Sequence, residues 1–91
     1  MVEKIVRVGN ALGLHARAAA KLVQLTTRYS SDVRLRRERS AQQTDAKSIL
    51  NVLMLAASQG TVLIISAEGA DAAEAVDAVE RLFESKFDED R

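Results

Sequence analysis

Apolar and polar residues alternate with two different periods along this chain, and each change of period marks an element. Val2, Val6 and Val8 share one parity in a β-branched stretch, so Val2 to Val8 reads as a first strand with one buried face. Gly9 and Gly13 bracket a loop. From Ala16 the period lengthens. Ala16, Ala19, Ala20, Leu22, Val23, Thr26 and Tyr29 form an apolar stripe at helical spacing, with Arg17, Lys21, Gln24 and Arg28 facing away. After a turn at Ser30-Ser31-Asp32, Val33 and Leu35 alternate with Arg34 and Arg36, which predicts a second strand with one wet face. Glu38 to Ser40 turns a hairpin into a short third strand, Ala41 to Thr44.

Ser48 to Ser58 reads as a second helix closed by Gly60. Thr61 to Ala67 is apolar on both parities, which suggests a central strand covered over much of its length. Asp71 and Glu74 resemble a capping box at the start of a third helix, whose inner face would be Ala72, Ala75, Val76, Val79, Leu82 and Phe83. The acidic tail, Lys86 to Arg91, is expected to fray. The order β-α-β-β-α-β-α, without repeat or linker, predicts a single α+β domain over 1–91 with helices on one face of the sheet.

Composition narrows the function. Of 91 residues 47% are apolar and 29% charged, which is globular rather than disordered, and aromatics at 3% leave the core to Val, Leu, Ile and Ala. Thirteen basic residues balance thirteen acidic ones, so no global field steers the chain to nucleic acid or an anionic membrane. Arg34, Arg36, Arg37 and Arg39 cluster without interleaved aromatics and read as a solvated strand and turn. With no cysteine and one histidine, no disulfide, metal site or cofactor is expected. No signal-like stretch opens the sequence, and no apolar run approaches the roughly 20 residues that span a bilayer. A monomeric cytoplasmic protein, bound to neither nucleic acid nor membrane, is the expectation.

His15 is the only side chain whose ordinary pKa lies near neutrality. It follows a glycine loop and stands at the start of the first helix, two positions before Arg17. A helix start exposes unpaired backbone N–H groups, here those of Ala16, Arg17 and Ala18, and the positive end of the dipole, a ready site for phosphate. A neutral imidazole can act as the nucleophile while Arg17 and those N–H groups offset the arriving charge. A nucleotide site is excluded, since Gly9 to Gly13 lacks a following Gly-Lys-Ser/Thr.

Gly13-Leu14-His15-Ala16-Arg17-Ala18-Ala19 resembles the active-site signature of the histidine-containing phosphocarrier family, HPr, of the phosphotransferase system. Asp45-Ala46-Lys47-Ser48-Ile49-Leu50, with Leu53 to Ala57, resembles its regulatory serine segment. The resemblance covers essentially all 91 residues. It implies an open-faced β-sandwich: a four-stranded antiparallel sheet with three helices on one side. It also implies that His15 is phosphorylated on Nδ1 by enzyme I, charged from phosphoenolpyruvate, and passes the group to an enzyme IIA histidine. The chain would then be a carrier, not a stand-alone enzyme. Ala18 departs from the family's usual proline, though alanine is also a good helix residue. Asn51 stands where many members have glycine, which bears on recognition by a serine kinase.

Ser48 reads as the N-cap of the second helix and, by the resemblance, as a regulatory phosphorylation site for a kinase/phosphorylase. The second helix carries more apolar surface than a core needs, and a contiguous exposed patch marks a partner site. The resemblance assigns Ile49, Leu50, Leu53 and Met54 to docking enzyme I. Two other readings compete. One is a regulatory paralogue in the nitrogen-related phosphotransfer branch, toward which Ala18 and the ending Phe87-Asp88-Glu89-Asp90 lean, while Lys47-Ser48 leans toward the sugar branch. The other is a ligand-binding regulatory module, which would need neither His15 nor Arg17 at a helix start.

Overall fold

The computed structural model describes residues 1–89, and its four strands form one sheet in the order β1-β4-β2-β3. These are β1 (Val2–Arg7), β2 (Asp32–Arg37), β3 (Thr44–Asp45) and β4 (Val62–Glu68). Every neighbouring pair is antiparallel, with Val6 opposite Leu63 and Leu35 opposite Ile65. The helices α1 (Ala16–Thr26), α2 (Ile49–Leu55) and α3 (Ala72–Glu84) cover one face. The other face is open, as expected for an open-faced sandwich. Among the described residues no helix is long and apolar enough to cross a membrane.

Strand parity decides which side chains meet the helices. Val6 and Val8, Val33 and Leu35, and Leu63, Ile65 and Ala67 point inward and are buried, while Glu3, Ile5 and Arg7 point to solvent. They pack on Leu22 of α1, Val52 of α2, and Ala75, Val76, Val79 and Phe83 of α3. Burying each Val, Leu or Phe contributes roughly 1.5–3 kcal/mol. With so few aromatics, this aliphatic layer is the main source of stability.

The structure corrects several sequence expectations. The third strand is Thr44–Asp45 only. Residues 41–43 stay in the hairpin loop, where Arg36 Nη1 donates to the carbonyls of Glu38 and Ser40. The second helix stops at Leu55 rather than Ser58, because Ala56 turns left-handed at φ 52° and sends buried Ala57 inward. Arg37 Nη2 donates to the Leu55 carbonyl at 2.8 Å, satisfying an orphan group of that helix end. Ala16 is exposed, and Ala18 takes its place in the buried face of α1.

Asp71 is the N-cap of α3 but makes no side-chain cap bond to it, so the capping box is absent. Its carboxylate instead accepts from the N–H groups of Ser30 and Ser31, each at 2.9 Å, and from the Ser31 hydroxyl. The tail does not fray over Lys86–Glu89. A single helical turn, Lys86–Asp88, buries Phe87 completely, its ring edge-on to Phe83 with centroids 4.9 Å apart. Asp90 and Arg91 lie outside the described residues.

Candidate functional site

The loop before α1 is built to deliver one side chain. Gly13 takes φ 66°, and a Cβ there would lie 2.5 Å from the Ala57 carbonyl oxygen, so only glycine fits without displacement. The N–H of Leu14 donates to that same carbonyl at 2.9 Å, and Leu14 is buried. Asn10, wholly buried, donates from Nδ2 to the Gly13 carbonyl at 2.8 Å. The loop is thereby pinned on both sides, and His15 emerges in extended conformation as the N-cap of α1.

His15 caps the helix with its own ring. Nδ1 accepts the N–H of Arg17 at 3.3 Å, and the helical ladder begins with Ala19 N–H on the His15 carbonyl. The N–H groups of Ala16, Arg17 and Ala18 therefore precede the ladder, as expected of a helix start. Ala18 is buried while Ala16 and Arg17 are exposed. The imidazole is 27% exposed, open to an incoming group on one side. An unprotonated ring nitrogen at the positive end of a helix dipole can attack an electrophile and leave the product's negative charge among N–H donors.

Glu89 is a site residue that sequence reasoning missed. Its Oε2 lies 2.5 Å from His15 Nε2, and its Oε1 accepts from Asn10 Nδ2 at 3.0 Å. The carboxylate is only 15% exposed. The hydrogen bond from His15, and then that from Asn10, hold its carboxyl below the usual carboxylate range. Two features upstream deliver it. Lys21 Nζ donates to the Phe87 carbonyl at 2.6 Å, and Lys86, Phe87 and Asp88 all take positive φ, 55°, 57° and 60°. Left-handed backbone costs roughly 1–2 kcal/mol per non-glycine residue, offset here by the burial of Phe87. The signal available in the sequence was Phe87 itself, a lone aromatic in an acidic tail.

The other predicted residues lie along and just before α2. Ser48 is its N-cap, with Oγ accepting the Asn51 N–H at 3.4 Å. Lys47 is occupied by the Tyr29 carbonyl at 2.7 Å. Ile49, Leu50, Leu53 and Met54 are exposed, Leu50 at 64% and Met54 at 72%, whereas Val52 turns into the core. Leu12, in the loop before His15, is a further exposed apolar side chain that the sequence reading did not single out. The arginines of β2 are held locally, Arg34 by Asp32, Arg36 by turn carbonyls and Arg37 by Leu55. Among the described residues no cluster of three His, Cys, Asp or Glu side chains could hold a metal ion.

Comparison with known proteins agrees with the fold. Residues 2–85 match the family model described as the PTS HPr component phosphorylation site. The chain is 46% identical over 90 residues to the phosphocarrier protein HPr of Xylella fastidiosa (strain Temecula1), covering 99% of each. It is 45% identical over 85 residues to the phosphocarrier protein NPr of Proteus mirabilis, covering 93% of each. The crystal structure of HPr from Thermoanaerobacter tengcongensis superposes with a TM-score of 0.93 at 41% identity, covering all of both chains. A dimeric crystal form of HPr from that organism gives 0.75 at 42% identity, covering 98% of this chain and 100% of that one.

Proposed function

The chain belongs to the HPr family of phosphocarrier proteins of the phosphotransferase system, and we propose that His15 is the group that carries the phosphoryl. The observation that carries this reading is the placement of the imidazole as N-cap of α1, with Nδ1 facing the Arg17 N–H. The Nδ1 lone pair attacks phosphorus on the donor, the N–P bond forms, and the donor's leaving atom departs with its electron pair. The phosphoryl oxygens then meet the N–H groups of Ala16, Arg17 and Ala18 and the Arg17 guanidinium. Enzyme I, charged from phosphoenolpyruvate, is the proposed donor and a histidine of an enzyme IIA the acceptor, in the cytoplasm and with the chain acting as a monomer. The exposed side chains of Ile49, Leu50, Leu53 and Met54 supply the apolar docking surface. Ser48, at the rim of that surface, is the proposed target of a serine kinase/phosphorylase.

A second reading places the carrier in the nitrogen-related branch. It is favoured by the 45% identity to the NPr of Proteus mirabilis, and the identity of the accepting enzyme IIA separates the two. The carrier reading itself is tested by incubating the protein with enzyme I and phosphoenolpyruvate at neutral pH. Intact mass should rise by one acid-labile phosphoryl group, and His15→Ala should show no gain. Labelling that persists in His15→Ala removes His15 from the chemistry.

A further inference from the structure

From the seating of its carboxylate on His15, we infer that Glu89 is a positioning residue for phosphoryl transfer, holding the proton on Nε2 so that Nδ1 remains the nucleophile. This rests on the reading of His15 as the phosphoryl acceptor and adds a group outside the span matched by the family model, which ends at residue 85.

The hydrogen-bond partners assign the tautomer. Nδ1 accepts the Arg17 N–H and therefore carries no proton, so the proton of the neutral ring is on Nε2, where the Glu89 carboxylate accepts it. A carboxylate that accepts from one ring nitrogen fixes ring orientation and raises the basicity of the other. As Nδ1 attacks phosphorus, positive charge grows on the ring and is shared by Nε2–H. Glu89 offsets that charge without taking the proton, the role a buried aspartate plays toward histidine in serine proteases. When the phosphoryl moves on, the Nδ1–P bond breaks, its electrons return to Nδ1, and the ring is again neutral with Nε2–H in place. No proton enters or leaves through Glu89.

The tail is built to reach this position. Phe87 anchors it in the core, Lys21 holds the Phe87 carbonyl, and Asn10 fixes the second carboxylate oxygen. Three successive residues stay left-handed to turn the chain toward His15, and strain retained at a site points to a use there. Among the described residues the charged groups around the opening are Arg17, Lys21, Asp88 and Glu89 itself. Of these only Glu89 is bonded to the imidazole through its side chain.

The test is Glu89→Gln, which keeps the shape of the side chain. A glutamine amide can donate to a bare Nε2 as well as accept from a protonated one, so it supports both tautomers. With the ring nitrogens labelled, 15N NMR of the parent at a pH where the imidazole is neutral should show the proton on Nε2. In Glu89→Gln the Nδ1–H form should grow. The rate constant of phosphoryl transfer from enzyme I should fall about tenfold to a hundredfold, the range for loss of a histidine-orienting partner, with enzyme I affinity within twofold of the parent. If the tautomer and the rate are unchanged, Glu89 is only a tail anchor and the inference is wrong. Faster transfer overturns it too, since Glu89 would then be obstructing His15. A parent protein labelled equally well as His15→Ala would instead bring down the carrier reading.

Discussion

The N–H of Leu14 donates to the carbonyl of Ala57 at 2.9 Å, which ties the loop carrying His15 to the chain just beyond α2. The nucleophile and the exposed apolar helix therefore share one frame, and the loop cannot shift without straining the end of that helix. Gly13 is the residue that allows this approach. Gly13→Ala should lose about 1–3 kcal/mol, the cost of forcing a side chain into sparsely allowed backbone, with an added clash against the Ala57 oxygen. Gly60→Ala is the control: it also has positive φ, at 91°, but nothing lies within 4 Å of its added Cβ. Urea unfolding should show the larger loss at Gly13, and equal losses would mean that the Ala57 contact is soft.

Most of the fold was legible because its core obeys simple periods. The parity of Val33 and Leu35 and the stripe Ala75, Val76, Val79 and Phe83 fixed buried faces that the structure keeps. The errors fall where local backbone chemistry outweighs pattern. Ala56 closes α2 in a left-handed conformation that alanine rarely adopts, so no composition rule pointed to it. Asp71 had the right spacing for a capping box, but the Ser30-Ser31 turn offered three donors against the one its own helix could provide. The site was half visible. His15 and Arg17 stand at a helix start that the glycine loop and motif mark, and Ser48 at one that capping marks, whereas the Glu89 contact joins positions 74 residues apart. Its signal in the sequence was Phe87, a lone aromatic in an acidic tail.

Arg17 should matter for transfer and little for folding. Its side chain is exposed, and its backbone N–H, which caps onto His15, survives any substitution except proline. A charge-assisted hydrogen bond to a phosphoryl oxygen contributes roughly 1.5–3 kcal/mol. Arg17→Ala should therefore slow transfer about tenfold to a hundredfold while the melting temperature moves by no more than about 2–4 °C. Rapid-quench measurement of transfer from phosphorylated enzyme I decides it. Unchanged kinetics would assign the phosphate to the backbone N–H groups alone.

Asp71 makes stability depend on acid. The Ser31 hydroxyl first, then the Ser30 N–H, hold its carboxyl down at about 2 in the folded protein. In the unfolded chain an aspartate titrates near its ordinary value of about 3.9. A depressed folded value means the stabilisation is fully present above that unfolded value and is lost as pH falls toward 2. Asp71→Asn should accordingly lower the melting temperature at pH 7, and the gap to the parent should narrow between about pH 4 and pH 2. A gap that stays constant down to pH 2 would show that the Ser31 contacts, not the charge, carry the effect.

Phosphorylated as proposed, Ser48 would control His15 without contact. It is the N-cap of α2, and phosphorylation would add about −1.5 to −2 charge there. Aspartate is itself a good N-cap, so Ser48→Asp should keep the fold and its melting temperature. The same charge stands next to Ile49 and Leu50, at the rim of the exposed apolar face. Burying it there against enzyme I costs several kcal/mol unless it is paired, so association should weaken at least tenfold. Ser48→Ala removes the cap and should cost about 0.5–1 kcal/mol, at the low end because the existing bond to the Asn51 N–H is long, 3.4 Å. Its phosphorylation at His15 should stay close to that of the parent. Calorimetry of enzyme I binding, with melting curves for both variants, separates the two roles. If Ser48→Asp binds enzyme I as tightly as the parent, Ser48 serves as a cap and the apolar face of α2 is not where enzyme I docks.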